Sequence, residues 1–92
     1  SKAAGAYAVL SNVPNIVGIS MRIDDSHKFA NKRIADSGFP EWMRIAFIQR
    51  ESVDGYWETL RPSPEKTILS NDRLIIFCSP DRISDLERKF KV

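Results

Sequence analysis

The sequence predicts a small α+β domain, and three of its segments carry this prediction. IVGISMRID alternates apolar and polar residues, which is the pattern of a strand with one buried face. Asp54-Gly55 stands between two apolar runs, as in a β-hairpin. The closing segment ISDLERKF places its apolar residues on one helical stripe. We therefore predict a β-rich domain in the order β-α-β-β-(extended)-β-α, with four or five short strands and a C-terminal helix packed on the sheet.

The composition limits both the number of domains and the kinds of partner. The chain of 92 residues makes one domain, and a domain this small buries only about 60–65% of its unfolded surface, so a partner would stabilise it. Hydrophobic residues at 42% and charged residues at 28% are typical of an ordinary folded domain. The formal net charge of +2 is too small to indicate nucleic acid or an anionic membrane as the partner. The single cysteine, Cys78, excludes an internal disulfide and fits a reduced, cytoplasmic setting.

The first half of the chain predicts a strand, a short helix and a second strand. Residues 1–14 are interpreted as a linker or a cloning remnant, and residues 15–92 as the domain. After the strand IVGISMRID and a polar loop, NKRIADSG predicts a short helix with Asn31 as its N-cap and Gly38 as its left-handed stop. GFPEW is then a turn, and MRIAFIQR is the next strand. Counted two residues per step, that strand turns Met43, Ile45 and Phe47 to one face and a second set to the other, namely Arg44, Ala46, Ile48 and Arg50.

The second half predicts a hairpin, an exit from the sheet, a central strand and a helix. YWETL returns antiparallel after Asp54-Gly55. Pro62 and Pro64 cannot donate ladder hydrogen bonds, so the chain leaves the sheet there and continues through the extended piece KTIL. RLIIFC has apolar residues on both faces, which favours a short central strand covered on both sides. Ser79 and Pro80 then open the helix, as cap and first helical residue.

The residues that catalysis or metal binding would need are scarce. His27 is the only histidine, and Cys78 falls in the predicted core, so a cysteine–histidine pair is not expected. Asp24, Asp25 and His27 form a set of metal ligands on paper, but a solvated loop is the simpler interpretation. No glycine-rich phosphate loop is present. We therefore predict no enzymatic activity and no metal site.

Three features could instead serve a ligand. The predicted strand face with Arg44 and Arg50 suits a phosphate or carboxylate beside a ring, because guanidinium groups bind such anions bidentately. Trp42 and Trp57 could stack on a ring. The corner at residues 61–64 is rigid and offers carbonyl groups. Each feature also has a purely structural interpretation: exposed arginines, packed tryptophans and a simple exit from the sheet. The ligand-binding residues we predict are Arg44, Ile45, Ala46, Phe47, Arg50, Pro62 and Pro64.

Four segments of the sequence occur in the order that is typical of one known family. IAFIQR, RPSPEKTIL, NDRLIIF and ISDLERKF resemble the pattern of the TrkA C-terminal domain, also called the RCK C-terminal domain, and the resemblance covers residues 15–91. Upstream, HKFANKRIADS is similar to a further segment of that family. Asn31 and Asn71 stand where the family usually has glycine, and asparagine tolerates the left-handed backbone of those turns. The loop GFPEWM is shorter than in many members, and only Arg44 lies near the family's ligand contacts.

The resemblance implies a cytoplasmic regulatory domain of an ion channel or transporter, for potassium or another cation, held at the inner face of the cell membrane. The implied partners are a second copy of the domain, a membrane transport subunit or a transmembrane domain of the same chain, and a small molecule, with no nucleic acid. No cofactor is obligatory, and the ligand that the family allows is a nucleotide such as cyclic di-AMP. A ligand bound at the dimer interface would bias transport if it preferred one arrangement of the dimer.

Two other functions stay open on the sequence. One is a purely structural dimerisation domain of a transporter with no ligand of its own. The other is a small enzyme or a nucleic-acid binder, which the missing nucleophile–base pair and the missing basic stripe both disfavour.

Overall fold

The four strands predicted at IVGISMRID, MRIAFIQR, YWETL and RLIIFC form one antiparallel sheet. The computed structural model describes residues 14–90. The main sheet has four strands in the order β1-β6-β3-β4, and β2 pairs with β5 in a separate two-stranded ladder. The strands are β1 Val17–Arg22, β2 Lys32–Arg33, β3 Arg44–Glu51, β4 Trp57–Leu60, β5 Thr67–Ile68 and β6 Arg73–Cys78. A short 3-10 turn at Ile34–Asp36 leads into a loop. A second 3-10 turn at Pro80–Arg82 leads into helix α1, Ile83–Phe90. The predicted α+β class is confirmed.

The core lies between one face of the sheet and helix α1. β6 is central, because β1 and β3 both pair with it antiparallel. Its alternate residues Leu74, Ile76 and Cys78 are buried, and the predicted helical stripe supplies Leu86 and Phe90 to the same cluster. Ile75 and Phe77 on the other face of β6 are half-buried. Within residues 14–90, one face of β6 is therefore fully covered, as predicted, and the other face is covered only in part.

The short helix predicted at NKRIADSG is wrong. Lys32 and Arg33 pair with Ile68 and Thr67, so these residues form β2, and only one 3-10 turn follows. Asn31 is not an N-cap: its φ is 65°, and its N–H donates to the Ile68 carbonyl at 2.7 Å. The extended segment further along the chain therefore uses the backbone groups that a helix would have used. The expected left-handed backbone is present at Gly38, with φ of 68°.

Two further expectations concern turns and helix ends. Asn31 and Asn71 both have positive φ, at 65° and 72°, so asparagine does replace glycine at left-handed positions. The Asp54-Gly55 hairpin forms, with Gly55 at φ of 83°. The Ser79 side chain does not cap the helix, because its hydroxyl hydrogen-bonds the Asp81 carboxylate instead. The expected linker at residues 1–14 lies outside the described residues except for Pro14.

Asp72 binds together segments that are distant in sequence. Arg50 donates to both carboxylate oxygens, from Nε at 2.9 Å and from Nη2 at 2.8 Å. The Leu69 N–H donates to the same carboxylate at 2.9 Å, and Arg50 Nη2 also reaches the Thr67 carbonyl at 2.9 Å. Asp72 is 1% exposed, and these bonds leave no buried side-chain polar atom of the described residues without a partner. The hydrogen bonds to Asp72 raise the pKa of the Arg50 guanidinium.

The backbone around Asp72 completes this junction. The Ile23 N–H donates to the Asp72 carbonyl at 2.8 Å, and the Asn71 N–H donates to the Ile23 carbonyl at 2.6 Å. The end of β1, the turn before β6 and the middle of the β3 hairpin thus meet at one carboxylate. We refer to Arg50, Thr67, Leu69 and Asp72 as the Asp72 junction.

We predict that Asp72→Ala lowers the free energy of unfolding by about 3 kcal/mol, because removing one partner of a buried ion pair leaves the other charge and the Leu69 N–H uncompensated. The figure is at the lower end of the usual range because the Arg50 side chain is 27% exposed. Urea denaturation measures the change. The matched control is Asp36→Ala, whose ion pair with Arg33 is exposed and should leave stability nearly unchanged. Equal effects of the two variants would contradict the structural role given to Asp72.

Candidate functional site

A β-bulge at Ala46 decides where the side chains of β3 point. Arg44 pairs with Phe77 and Ile45 with Ile76, but Phe47 pairs with Ile75, so Ala46 has no partner on β6. Residues that face each other across a ladder share a sheet face. Arg44 therefore lies on the face of Phe77 and Ile75, and Ile48 lies on the core face with Leu74. One extra residue has reversed the alternation halfway along the strand.

The expectation that Arg44, Ala46, Ile48 and Arg50 share one face is therefore wrong. Ile48 is fully buried in the core, and Arg50 lies on that same side, where the Asp72 junction holds its guanidinium. Arg44 is exposed on the opposite side of the sheet. The two arginines consequently cannot flank one ligand within a single copy of the domain.

Four of the seven predicted ligand residues do meet, in an open groove of about 260 Å³. Arg44 and Ile45 contribute from the first residues of β3, and Pro62 and Pro64 contribute from the corner where the chain leaves the sheet. Four residues outside the predicted ligand set complete the lining: Ser63, from the corner at residues 61–64, and Ile34, Phe39 and Met43. We call this space the Arg44 groove.

Backbone hydrogen bonds hold the wall of the Arg44 groove in place. The Ala35 N–H donates to the Pro64 carbonyl and the Ile34 N–H to the Lys66 carbonyl, both at 2.9 Å. The Lys66 N–H closes the corner by donating to the Ser63 carbonyl at 3.1 Å. The Pro64 carbonyl, which the sequence analysis left available to a ligand, is thus used by the 3-10 turn. The corner therefore forms a rigid wall of the groove, and its Pro64 carbonyl oxygen already accepts a hydrogen bond within the protein.

The groove combines apolar walls with one positive charge. Arg44 is its only charged lining residue, and it makes no salt bridge within residues 14–90. Ile34, Ile45 and Phe39 are partly buried and pack on the core, so they present an apolar surface that the fold supports from beneath. Such a site suits a flat, apolar group that carries an anionic substituent.

The three remaining predicted ligand residues lie elsewhere. Phe47 is 43% exposed on the open face of the sheet, Ala46 is the bulge residue, and Arg50 belongs to the Asp72 junction. The two tryptophans are also outside the groove. The Trp42 ring packs near Phe90 with Arg82 at 5.0 Å from its centroid, and the Trp57 ring has Arg73 at 4.7 Å.

Phe39 and Met43 are not among the predicted ligand residues, because both fall in or beside the segment interpreted as a plain turn. A signal was present: a turn that is exposed throughout seldom carries Phe, Trp and Met within five residues, and GFPEWM carries all three. Met43 is 4% exposed and Phe39 packs on Phe29 with 4.3 Å between ring centroids. The segment is therefore a packed part of the domain that forms one side of the groove.

Cys78 and His27, the two side chains considered above for catalysis, both have structural environments within the described residues. No group of three or more histidine, cysteine, aspartate or glutamate side chains within residues 14–90 could hold a metal. Burial raises the pKa of the Cys78 thiol, with a further contribution from Asp81, so the reactive thiolate is disfavoured. His27 donates and accepts hydrogen bonds within the protein, to the Phe90 carbonyl and from the Phe29 N–H. Among the helices of the described part, none has the length and apolar character to cross a membrane.

Comparison with known proteins gives one family and two related folds. A family model described as the TrkA-C domain matches residues 19–91. A solved structure described as "Structure of RCK domain with cda" has a TM-score of 0.59 at 17% identity, and the match covers 79% of this chain and 96% of that one. Another, "Crystal Structure of the GsuK RCK domain", has a TM-score of 0.62 at 17% identity, covering 92% of this chain but 18% of the other. No curated protein matches the sequence. These likenesses establish an RCK-like fold.

We predict that deletion of Ala46 is tolerated, because the flanking residues already pair with consecutive residues of β6 and would keep their faces. Its cost in the free energy of unfolding should be below about 1 kcal/mol. Deletion of Gln49 is the matched control. It would turn Arg50 to the open face and cost about 3 kcal/mol or more, since Asp72 would be left buried without its cation. Equal losses in urea denaturation would show that the bulge does not set the faces.

The burial of Cys78 predicts a loss of stability at alkaline pH. The folded pKa is raised above the unfolded value of about 8.5, so above that pH the unfolded state has lost a proton that the folded state keeps. The free energy of unfolding should therefore begin to fall as the pH rises above about 8.5, and it should stop falling only when the folded thiol ionises as well. Cys78→Ala should remove that part of the slope, and the difference between the two proteins cancels the contributions of other groups. Parallel curves for the two proteins would contradict the prediction.

Proposed function

Because the chain belongs to the TrkA-C domain family, whose members are regulatory domains of ion transport systems, we propose that it senses a small anionic ligand and passes that signal to a cation channel or transporter. The observation that carries this proposal is the Arg44 groove, in which one exposed guanidinium stands beside an apolar wall. The proposed location is the cytoplasmic face of the membrane, with a membrane transport subunit or a transmembrane domain of the same chain as the partner.

A homodimer explains why the groove is open on one side. Its volume of about 260 Å³ is below the roughly 300–1,000 Å³ of pockets that enclose an organic ligand. In the dimer we propose, the two-fold axis passes beside the Arg44 groove, so that two such grooves face each other and each copy supplies the other's missing wall. The small core also gains from such a partner, since a 92-residue domain is marginal alone.

The proposed ligand is a nucleotide with two-fold symmetry, of which cyclic di-AMP is the example to test. Two grooves related by a two-fold axis offer two Arg44 guanidinium groups and two apolar walls, and such a ligand carries two phosphates and two bases. The structural neighbour described as an RCK domain "with cda" supports the idea that this fold takes a small ligand. Arg50 has no part in binding under this proposal, because its donors serve the Asp72 junction.

A structural dimerisation domain without a ligand is the second candidate. The observation that favours it is the number of large apolar side chains that stay exposed on this small domain, among them Phe47, Tyr56 and Trp57. A dimer formed through such residues alone would transmit force between transport subunits without any need for the Arg44 groove.

We predict that cyclic di-AMP raises the melting temperature of the 92-residue chain and that Arg44→Ala removes about half of this effect or more. A ligand at 100 times its dissociation constant adds about 2.7 kcal/mol of stability, a shift of several degrees in a domain of this size. Loss of the charge-assisted contact should weaken binding at least tenfold. Melting curves with cyclic di-AMP, ATP, ADP, NADH, Ca²⁺ and K⁺ provide the measurement.

The matched control for this experiment is Arg88→Ala, which removes a guanidinium 70% exposed on α1 and outside the groove lining. It should leave the ligand response unchanged. If no compound of the panel changes the melting temperature, and the melting temperature rises with protein concentration, the structural dimer is favoured. An equal loss of response in both variants would mean that the Arg44 groove is not the binding site.

A further inference from the structure

A second pocket, distinct from the Arg44 groove, lies between the loop after β1 and the end of α1. Its volume is about 240 Å³. None of the ligand residues inferred from the sequence contributes to it. The residues that line it are Arg22, Asp24, Ser26, His27, Lys28, Lys89 and Phe90. We call it the Lys28 pocket.

The Lys28 pocket has a surplus of positive charge. Arg22, Lys28 and Lys89 line it, and none of the three makes a salt bridge with a carboxylate of residues 14–90. Arg22 is oriented by a neutral group, because its Nη2 donates to the Asn71 side-chain oxygen at 2.6 Å, so its charge is not neutralised. Lys28 Nζ lies 4.5 Å from the centroid of the Phe90 ring.

Asp24 is the one carboxylate that lines the pocket, and the loop already uses one of its oxygens. Its Oδ1 accepts from the Ser26 N–H at 2.9 Å and from the Ser26 hydroxyl at 2.8 Å. The hydrogen bonds from Ser26 lower the pKa of Asp24, so the carboxylate is ionised at neutral pH. Three cations and one anion therefore leave two positive charges without a counter-charge.

Of the three cations that line the pocket, only Lys89 belongs to α1. A helix C-terminus attracts cations through its free carbonyl groups. Here His27 serves the last of them, since its Nδ1 accepts from the Phe29 N–H at 3.2 Å, which leaves Nε2 to donate to the Phe90 carbonyl at 2.8 Å. Arg22 and Lys28 also belong to β1 and to the following loop rather than to the helix.

We propose that the Lys28 pocket binds a small phosphate-type oxyanion, held between Lys28, Lys89 and Arg22. The pocket is too small for a drug-sized ligand, which needs about 300 Å³ or more, and its size therefore favours a free phosphate or the phosphate group of a larger molecule. Lysine ammonium groups bind phosphate as mobile point charges, and Arg22 offers a guanidinium edge. Phe90 lines the pocket floor as a buried core residue, with Lys28 over its ring.

The test is an NMR titration of the 92-residue chain with inorganic phosphate, at constant ionic strength against chloride. Saturable shifts are expected at the amide signals of Ser26, Lys28 and Lys89, with no matching change at Arg44 or Ile45. Phenyl phosphate is the second probe: a similar affinity would assign the free ion, and tighter binding would assign the phosphate group of a larger molecule. Shifts that do not saturate, or that chloride reproduces, would overturn the proposal.

Variants that remove a positive or a negative charge from the pocket should change phosphate affinity in opposite directions. Lys28→Gln should weaken phosphate binding about tenfold, as loss of one charge-assisted contact does. Asp24→Asn removes the only negative charge of the lining while keeping an acceptor for Ser26, and should tighten binding about fivefold. Lys32→Gln, at an exposed lysine of β2 outside the pocket, should have no effect.

These outcomes are independent of the Arg44 groove. Equal effects of Lys28→Gln and Lys32→Gln, or weaker binding by Asp24→Asn, would show that only the overall charge of the protein is being measured and would contradict the proposal. Arg44→Ala should leave phosphate binding to the Lys28 pocket unchanged, so that failure of one site is not read as failure of the other.

Discussion

The buried carboxylate of Asp72 is the constraint on which the rest of this structure depends. It lies at the turn into the central strand and accepts hydrogen bonds from Arg50 and from the Leu69 backbone, while its own carbonyl receives the Ile23 N–H. The position of β1, the hairpin of β3 and the approach to β6 are fixed relative to one another at this point. A charge buried this deeply is tolerable only if all these donors are in place together. The ion pair therefore gives this arrangement of the strands a lower free energy than arrangements in which Asp72 lacks these donors.

Most of the fold follows from local patterns in the sequence, and its exceptions have identifiable causes. Alternation located β1 and the helical stripe located α1, because each of these patterns reflects a single buried face. The short run RLIIFC, apolar on both faces, located the central β6. The segment after Asn31 looked helical because its residues favour a capped turn. Pairing with Ile68, which is distant in the sequence, outweighed that preference, and no local pattern reports such a contact.

The candidate site could be predicted only in part, for a similar reason. Arg44, Ile45, Pro62 and Pro64 do line one groove, since they mark the beginning of one strand and the exit of the next. Arg50 was assigned to the same face because a strand was assumed to alternate without interruption. The bulge that breaks the alternation falls at an alanine, a residue type that carries no signal for irregular backbone. The basic pocket beside α1 was also beyond prediction, because the loop and the helix that form it are more than fifty residues apart.

Because of the bulge at Ala46, the two ends of β3 have separate structural surroundings. Its first residues belong to the groove, whereas its later residues belong to the core and to the junction at Asp72. Substitutions at Arg44 and at Arg50 should therefore contribute additively to stability, since the two side chains share no partner and lie on opposite sides of the sheet. The exposed end of such a strand can change its sequence while the buried end keeps the domain folded.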